Sequence, residues 1–486
     1  MATRAYDAVH WYMEEVGARV VAKTGIPSDR HHVGKLILQS LQDDPGFILQ
    51  IDGATGKTET FGSALDRSIR CAVSLTNMGL KKGDVMVLMG PNHLDFCIPH
   101  NAALYLGIMV ASVDATLGNR PNIIFGQSEK MKDIERALTL SEIDAKVVTF
   151  DKDGSHTSLA QLLEVKDKEA IKNFKPTDFD PEETVGYLTS TSGTTGVPKT
   201  AMLTHKNLSI GMPYIWANFS NFPTPTILVF MTSPAQWLSA GIHYVFSSVF
   251  KYTRLQSSAP ITPEHFADLV NVYKPSYLAT SPNMMVTMMA NAKCDFTCFK
   301  YVGLGGSAVT QDVIDEVKKI AQTDEVFILY GMTEATGLTV QHDMYSAHGS
   351  YGRPIFGIQA KLVDPITNKV ITEPNVPGEA WFKGPSIFKV SPVEIETVIM
   401  KHPGVLHAAV TGIPDKECGD LVVACVVPKP GCNPTAQEIK DLVKESLTDS
   451  KQLRGGVIFL KELPTTSTSK INRQKLKELV LSLPRQ

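Results

Sequence analysis

Val185-Gly-Tyr-Leu-Thr-Ser-Thr-Ser-Gly-Thr-Thr-Gly-Val-Pro-Lys199 is a strand-length apolar run that passes into hydroxyl residues and glycines and ends in one lysine. Gly193 and Gly196 tolerate positive φ and close backbone approach, so successive N–H groups can form a nest for an anion. Neutral hydroxyl donors are added by Thr191, Ser192, Thr194 and Thr195. Because Lys199 supplies a positive charge at the end of the loop, we predict that this segment surrounds a phosphate.

Two other interpretations of the loop agree less well with its sequence. A Walker A loop is excluded, because Pro198 takes the place of the second glycine and no Gly-Lys-Ser/Thr follows. A solvated linker rarely combines this composition with a preceding apolar strand and a following helix start such as Thr204-His-Lys-Asn207. The sequence therefore favours a phosphate-binding loop.

The loop resembles the phosphate-binding signature of the AMP-forming adenylating enzymes, a group that includes acyl-CoA synthetases, 4-coumarate–CoA ligases and luciferases. Thr200 replaces the glycine that usually follows the lysine, but the resemblance extends over nearly the whole chain. It implies that residues 191–196 and Lys199 bind ATP and that Lys199 also acts in catalysis. It further implies Mg²⁺ as the metal and coenzyme A as a co-substrate.

A second motif, Tyr330-Gly-Met-Thr-Glu334, follows the apolar run Val326 to Leu329. Ligands of α/β proteins bind at the carboxyl ends of strands, so we expect these side chains at such an edge. The roles that the resemblance implies are nucleotide contact for Tyr330, Gly331 and Met332, α-phosphate contact and catalysis for Thr333, and Mg²⁺ binding for Glu334. A strand end with a plain turn is the alternative.

A third motif, Gly303-Leu-Gly-Gly-Ser307, has the form of the family's loop that contacts adenine and the acyl group. The resemblance therefore implies nucleotide contact for Gly305, Gly306 and Ser307, with Gly306 also facing the substrate. Taken alone, a glycine cluster after a strand usually marks only a tight turn.

Near the C-terminus, Leu463-Pro-Thr-Thr-Ser-Thr-Ser-Lys-Ile-Asn472 resembles the family motif whose lysine reaches into the cleft during adenylation. The resemblance makes Lys470 catalytic, since a lysine can neutralise charge while a carboxylate attacks the α-phosphate and pyrophosphate leaves. Without the resemblance, Lys470 would be interpreted as a solvated loop lysine. Gln452-Leu-Arg-Gly-Gly456 also matches the luciferase-like branch.

Two further residues are candidates for the substrate site. His205 follows the phosphate loop, where contact with a ligand and a role at the helix start are equally open. Many relatives place an aromatic–histidine pair along the acyl pocket, whereas this chain has Ala235-Gln-Trp237. Trp237 is thus assigned to a differently shaped pocket, with an ordinary core position as the alternative.

Composition indicates a globular protein with more than one domain. At 486 residues and 43 % hydrophobic content, the chain is too long for a single core. Its 47 basic and 50 acidic residues give a net charge of -3, and no dense basic run favours a nucleic acid or a membrane surface. The seven scattered cysteines lack CxxC spacing, which fits a reducing compartment without structural zinc.

No apolar stretch is long enough to span a membrane, and the N-terminus lacks a signal-peptide core. We therefore expect a cytoplasmic protein. A peroxisomal location is the alternative, although the chain ends Leu483-Pro-Arg-Gln486 rather than in Ser-Lys-Leu. The expected partner is a carboxylic acid substrate, and no feature of the sequence indicates an oligomeric state.

Apolar runs of strand length alternate with helical patterns, which is typical of βα units and parallel sheets. Strands are predicted at Phe47–Ile51, Val85–Met89, Met109–Val113, Asn122–Phe125, Lys146–Phe150, Ile227–Met231, Tyr277–Thr280, Tyr301–Leu304, Val326–Leu329, Ala408–Gly412, Leu421–Val427 and Val457–Leu460. Helices are predicted at Gly62–Met78, His93–Leu106, Pro263–Tyr273, Asp312–Ile320, Ile395–Met400 after a capping box at Ser391-Pro-Val-Glu394, Thr435–Ser446 and after Asn472. The expected fold is α/β: a large N-terminal domain of βα sheets with a partial β-barrel over 1–385, and a small α+β C-terminal domain over 390–486.

A segment that the family carries is missing between Glu379-Ala-Trp-Phe-Lys-Gly-Pro385 and Val390-Ser-Pro-Val-Glu394, where only four residues lie. In relatives this longer segment holds a Gly-Asp motif whose aspartate binds the ribose, together with the interdomain hinge. A smaller shortening follows Asp114-Ala-Thr-Leu-Gly118. The strand pair around Lys361 and Trp381 is therefore expected to lack barrel partners and to leave unpaired backbone edges. A splice or gene-model omission and a genuine degenerate paralogue both remain open.

The resemblance implies an AMP-forming acid–CoA ligase that acts on a fatty or aryl-propenoic acid. The acid and ATP would give an acyl-adenylate and pyrophosphate, and coenzyme A would then displace AMP. The rival hypothesis is an impaired pseudoenzyme or truncated isoform that binds nucleotide or acyl ligand without full turnover. The intact phosphate loop and Lys470 favour the enzyme, whereas the missing segment favours the rival. Luciferase-like oxygenation has little support in the sequence.

Overall fold

The computed structural model describes residues 2–111, 121–152, 154–191, 199–213, 227–342, 346, 349–355, 357–367, 369–387, 392–415, 419–447, 451–464 and 473–484. The chain divides into two compact units, Met1–Phe388 and Lys389–Gln486. Within the described residues, no helix is both long and apolar enough to cross a membrane.

Fifteen helices are described. They are α1 Ala2–Thr24, α2 Val33–Asp43, α3 Phe61–Asn77, α4 Cys97–Leu106, α5 Met131–Leu140, α6 Leu159–Leu162, α7 Lys168–Lys172, α8 His205–Gly211, α9 Leu238–Phe250, α10 Pro263–Tyr273, α11 Pro282–Asn291, α12 Gln311–Ala321, α13 Pro392–Ile399, α14 Ala436–Ser446 and α15 Arg473–Ser482.

The described strands are β1 Ile48–Asp52, β2 Thr58–Thr60, β3 Val85–Leu88, β4 Met109–Ala111, β5 Ile123–Gly126, β6 Lys146–Thr149, β7 Thr157–Ser158, β8 Val185–Thr191, β9 Lys199–Thr204, β10 Leu228–Met231, β11 Thr253–Gln256, β12 Tyr277–Thr280, β13 Tyr301–Gly305, β14 Val326–Met332, β15 Gly337–Gln341, β16 Arg353–Pro354, β17 Gln359–Val363, β18 Val370–Ile371, β19 Glu379–Lys383, β20 Val405–Asp415, β21 Gly419–Pro428 and β22 Gly456–Phe459.

The larger unit contains two large sheets. The first has nine strands in the order β16-β15-β14-β13-β12-β10-β11-β1-β2, and the second has seven in the order β7-β6-β5-β3-β4-β8-β9. Neighbouring strands in the middle of both sheets are parallel, as βα connections require. The predicted α/β fold class is confirmed.

One apolar core joins the helices α2, α4 and α9 to strands of both sheets. It includes Leu36 of α2, Leu104 of α4, Val245 of α9, Val229 of the nine-stranded sheet and Met86 of the seven-stranded sheet. Because α4 and α9 are buried almost all round, neither shows the apolar periodicity of a surface helix. The sequence analysis nevertheless predicts α4 as part of His93–Leu106, whereas it does not predict α9.

Capping residues in the sequence predicted where several helices begin. The predicted helix Pro263–Tyr273 begins after Thr262, whose side chain accepts a hydrogen bond from the His265 N–H. Thr435 caps α14 in the same way, and Glu438 completes a capping box there. The predicted box at 391–394 precedes α13, but its side chains lie outside the described residues.

A third sheet in the larger unit has only three strands, in the order β18-β17-β19. Lys361 pairs with Trp381 across β17 and β19, and no further strand pairs with β18 or β19 among the described residues. Leu362 and Val370 are exposed on this sheet. The described residues thus form an open sheet, rather than a closed barrel, at the place where the sequence predicts missing barrel partners.

The smaller unit is an α+β domain. Strands β20 and β21 form a long antiparallel pair, and β22 joins β21 in parallel. Ile395, Val410, Ile439 and Val457 contribute to one apolar core that α13 and α14 share with this sheet.

The hairpin of β14 and β15 depends on two glycines. Its register shifts between Tyr330 and Gly331, and Gly331 then pairs with Leu338. A Cβ atom built on Gly331 would lie 2.1 Å from the carbonyl oxygen of Gly337, which is far inside van der Waals contact. Only glycine allows the two strands to approach this closely.

We predict that Gly331→Ala destabilises the larger unit by about 1 to 3 kcal/mol, because the new methyl group forces the hairpin apart. Gly46→Ala is the matched control, since a Cβ there meets nothing within 4 Å. Thermal unfolding of the two variants beside the wild type measures the difference. Equal unfolding temperatures for all three proteins would contradict the assigned close approach.

Four histidines are buried among the described residues of the larger unit: His32, His100, His205 and His243. Burial lowers the pKa of His32, His100 and His243 from 6.5 to about 4. The folded protein therefore keeps these rings neutral at a pH where the unfolded chain binds protons. Stability that is present above about pH 6.5 is lost as the pH falls towards 4.

Each of these groups contributes a slope of about 1.4 kcal/mol per pH unit within that window. His243→Gln should therefore flatten the dependence of unfolding free energy on pH between 6 and 4.5, while leaving the other buried histidines in place. Denaturant unfolding at several pH values measures this slope. Parallel curves for the variant and the wild type would show that His243 is not held neutral by burial.

Candidate active site

The two strands that flank the predicted phosphate loop form an antiparallel hairpin. Strand β8 ends at Thr191 and β9 begins at Lys199, and these two residues pair with each other. The hairpin thus brings the ends of the loop together, as a loop that encloses a ligand requires. The loop itself, with Ser192, Gly193, Thr194, Thr195 and Gly196, lies outside the described residues, as do the side chains of Thr191 and Lys199.

The end of the second motif, at Thr333 and Glu334, lies against this hairpin. Thr333–Ala335 forms a single helical turn that contacts both β8 and β9. Thr333 and Glu334 are half-buried there, while Met332 and Gly331 are exposed. The structure therefore brings the second predicted motif next to the ends of the phosphate loop, although the two are about 140 positions apart in the sequence.

The glycine loop after β13 lies beside the same motif. Gly305 pairs with Leu329 in the parallel neighbour β14, and a Cβ atom on Gly305 would lie 2.7 Å from the Leu329 carbonyl oxygen. Gly306 has a φ of +91°, which a residue with a side chain adopts rarely. Gly306 and Ser307 are exposed beyond the strand end.

Tyr330, Tyr351 and Phe382 form an aromatic cluster at the carboxyl end of β14. The Tyr330 ring is 41 % exposed, and its centroid lies 6.0 Å from those of both Tyr351 and Phe382. The Tyr351 hydroxyl accepts a hydrogen bond from the Val309 N–H at 3.4 Å, which connects the cluster to the glycine loop. An exposed aromatic face beside glycine backbone is suited to stacking with a planar base.

Sequence reasoning assigned no role to Tyr351 or Phe382. In the sequence, Tyr351 is a lone aromatic residue between Gly349 and Gly352, and this spacing was the only signal that could have marked it as a candidate. A Cβ atom on Gly352 would lie 2.0 Å from the Gln341 carbonyl oxygen, so this segment packs tightly on β15. Phe382 was visible only as one apolar residue of a strand.

The segment just before the unit boundary is tied to the same site. Thr336, which has a φ of +61°, donates a hydrogen bond from its hydroxyl to the Ser386 carbonyl at 2.7 Å. The Asn207 side-chain amide donates to the carbonyls of Pro385 at 3.2 Å and Ile387 at 3.5 Å. Residues 385–387 are therefore anchored to the start of α8 and to the turn after β14.

His205 is the first residue of α8, after Thr204, which caps the helix in a box with Asn207. Its ring is fully buried beside Phe179 and His32, with centroid distances of 4.7 and 5.3 Å. Burial lowers the pKa of His205 well below its ordinary value. This position favours the helix-start role over contact with a ligand.

Trp237 precedes α9 and is 58 % exposed, so it is not an ordinary core residue. It stands at one side of a pocket between α9 and the seven-stranded sheet. Its cavity volume is about 20 Å³, which is room for roughly one water molecule, and its apolar walls include Leu88, Phe96, Val110 and Ala111. Thr189, two residues before the end of β8, also lines it, so the pocket lies close to the start of the phosphate loop.

The remaining predicted positions differ in how far the structure describes them. Lys470 and its motif lie outside the described residues.

No group of three or more His, Cys, Asp and Glu side chains that could hold a metal ion is assembled within the described ranges. Among the residues that the structure describes, Glu334 is therefore a single carboxylate beside the hairpin.

Comparison with curated proteins identifies relatives over almost the full chain. Luciferin 4-monooxygenase of Photuris pensylvanica is 27 % identical, with 91 % of this chain and 93 % of that protein covered. A probable CoA ligase of Humulus lupulus is 26 % identical, with 93 % and 94 % covered. The names of these two similar proteins indicate different activities.

The alignment with the Photuris protein spans 514 positions, whereas 91 % of the 486 residues of this chain is about 442. About 70 aligned positions of the relative therefore face gaps in this chain. This difference agrees with the internal shortening inferred from the motifs.

A solved structure shows the same fold. The luciferase-like enzyme from the nonluminescent mealworm Zophobas morio matches with a TM-score of 0.67 and 23 % identity, covering 82 % of this chain and 94 % of that chain. The family model of AMP-binding enzymes matches residues 39–390, and the model of the C-terminal domain of AMP-binding enzymes matches residues 394–470. The chain belongs to the AMP-binding enzyme family, whose members are adenylate-forming ligases and related enzymes.

Proposed function

We propose that the protein activates a carboxylic acid with ATP, and that it is an acid–CoA ligase whose second half-reaction is weak. In the first step a carboxylate oxygen attacks the α-phosphorus, the bond to the β-phosphate breaks, and pyrophosphate leaves. In the second step the thiolate of coenzyme A attacks the acyl carbon and AMP leaves. The acid is of the fatty or aryl-propenoic type, and the proposed compartment is the cytoplasm, with the peroxisome as the alternative.

One observation carries this proposal: the turn Thr333–Ala335 contacts both strands that flank the phosphate loop. The exposed ring of Tyr330 and the backbone of Gly305 and Gly306 lie beside that turn. A base stacked on Tyr330 would thus have its phosphates directed towards the loop. This arrangement suits a nucleoside triphosphate and agrees with membership of the AMP-binding family.

The proposed roles follow the charges that develop during adenylation. Lys199 neutralises the β- and γ-phosphates, Thr333 donates to the α-phosphate, and Lys470 stabilises charge at the reacting phosphorus. Ser307 and the loop residues 191–196 add hydrogen bonds to the nucleotide. Trp237 and Gly306 face the acyl group, whereas the burial of His205 leaves it a supporting role at the helix start.

Glu334 is the proposed protein ligand for Mg²⁺. Magnesium usually binds one or two carboxylates together with waters and substrate phosphates, so a single half-buried glutamate beside a phosphate loop fits it. When bound, the metal would supply charge neutralisation for the departing pyrophosphate.

The weak second half-reaction is proposed from the junction between the two units. In relatives a hinge lets the small domain take different poses for adenylation and for thioester formation. Here residues 385–387 are hydrogen-bonded to Asn207 and Thr336, and Pro392 already begins α13. Only four residues, 388–391, remain to serve as a hinge, which gives little reach for such a motion.

We predict carboxylate-dependent exchange of pyrophosphate into ATP with medium or long acids, and essentially no acyl-CoA product. Exchange reports adenylation alone, whereas thiol consumption reports the second step, so the two assays separate the half-reactions. Inserting a family-like segment with its Gly-Asp motif between Phe388 and Val390 should raise both activities, and thioester formation more strongly.

Lys199→Ala and Glu334→Ala are the controls for the exchange assay, because each removes a charge that the proposal places on phosphate or metal. Both should abolish exchange while the proteins remain folded. Unchanged exchange in either variant would remove that residue from the proposed site. Robust acyl-CoA synthesis by the unmodified chain would overturn the proposed weakness of the second step.

A further inference from the structure

Strand β19 is an open edge of the three-stranded sheet in the larger unit. One side of it pairs with β17 in unbroken antiparallel register from Glu379 to Lys383. In the part of the chain that the structure describes, no strand pairs with the other side. Glu379, Ala380 and Lys383 are exposed there. The N–H and C=O groups along such an edge can pair with a further strand.

The two edges of this sheet differ in how well they can receive another strand. The opposite edge strand, β18, has only two residues, and a short edge strand offers little backbone for pairing. Strand β19 has five residues and contains neither a bulge nor a proline. Its one protective feature is Lys383, which disfavours an added strand unless that strand places a negative charge opposite it.

The sequence of β19 is complementary to itself in the antiparallel direction. Glu379-Ala-Trp-Phe-Lys383 carries opposite charges at its two ends and Trp381 at its centre. When two copies pair about a two-fold axis at Trp381, each Glu379 lies opposite Lys383 of the other copy. No other antiparallel register of the two strands pairs both charges. Opposite charges directly across an antiparallel pair are stabilising, whereas like charges are destabilising.

The side chain of Trp381 is already held in place at the centre of this strand. Its indole Nε1 donates a hydrogen bond to the Glu379 carboxylate at 2.8 Å. The Lys361 ammonium of β17 lies over the indole, 4.8 Å from the ring centre. An ordered aromatic side chain loses little conformational freedom on association, and an aromatic pair across two strands stabilises their pairing.

We infer that the protein self-associates through β19, with two copies joined antiparallel about Trp381 so that their three-stranded sheets become one six-stranded sheet. The second copy occupies the edge that the shortening of the chain is expected to deprive of barrel partners. Because a two-fold pairing uses the same edge on both copies, it closes as a dimer and does not propagate into a fibre. Two five-residue strands form a contact smaller than a standard stable interface, so the dimer is weak and forms at high protein concentration.

Sedimentation velocity of the full chain over a range of concentrations tests this pairing. The wild type should shift from monomer towards dimer as its concentration rises. Glu379→Lys and Lys383→Glu should each weaken self-association roughly tenfold or more, because each replaces two opposite-charge pairs by two like-charge pairs. Within one copy these positions pair with the uncharged residues Val363 and Gln359 of β17, so neither change creates a like-charge pair inside the sheet.

A mixture of the two single variants tests the register itself. In a mixed dimer the introduced lysine of one chain faces the introduced glutamate of the other, and the native lysine faces the native glutamate. The equimolar mixture should therefore dimerise as well as the wild type, and so should the double variant with both substitutions. Lys369→Glu is the matched control, because it makes the same charge change at an exposed residue next to β18, at the opposite edge, and should leave self-association unchanged.

A wild-type chain that stays monomeric at every concentration would overturn the inference. A dimer that neither single variant weakens would overturn it as well, because the copies would then meet through another surface. Weakening by both variants without recovery in their mixture would contradict the pairing about Trp381. Thermal unfolding of each variant beside the wild type shows that the change lies in association and not in folding.

Discussion

The close backbone approach of Gly331 to Gly337 is the constraint on which the candidate site depends. It allows β14 to continue through Met332 and to turn back as β15 through the tight turn Thr333–Ala335. That geometry leaves the Tyr330 ring exposed at the sheet edge and brings Thr333 and Glu334 against the phosphate-loop hairpin. A side chain at Gly331 would push the two strands apart, and at Gly337 the φ of +120° disfavours any residue with a side chain.

The second determinant is α9, which lies between the two large sheets. Ile242 of this helix approaches Gly337 of the nine-stranded sheet, while Gly241 packs on Tyr187 of the seven-stranded sheet. The same helix carries Tyr244 and follows Trp237. One buried helix thus lines the pocket beside Trp237 and also packs against the β14–β15 hairpin, which gives a physical reason for its tight, largely apolar packing.

The sequence predicted most of the fold, because strands such as Tyr277–Thr280 and helices such as Pro263–Tyr273 have clear periodicity and caps. It missed α9, which is buried on almost all sides, the N-terminal helices α1 and α2, and the ten-residue helices α5 and α11. Candidate site residues in short motifs, such as Thr333 and Glu334, could be named from the sequence. The contacts of Tyr351 and Phe382 with Tyr330 could not, because they join distant segments of the chain.

The shortened region lies next to the three-stranded sheet. The motifs indicated that a segment is missing after Lys383, and the structure shows an open three-stranded sheet there, with Lys361 and Trp381 paired as predicted. The hydrogen bonds from Asn207 and Thr336 to residues 385–387 had no sequence signal. They arise because side chains of α8 and of the β14–β15 turn meet the backbone of a distant segment.

The central claim is that the larger unit assembles a nucleotide site even though the family's ribose-binding segment is missing. Calorimetric titration of the full chain with Mg-ATP tests it most directly. Binding should be saturable and about 10- to 150-fold weaker than in a variant with the Gly-Asp segment restored, as expected for the loss of charge-assisted hydrogen bonds. Tyr330→Ala should lose binding. The absence of any heat or thermal shift at millimolar Mg-ATP, in a protein shown to be folded, would contradict it.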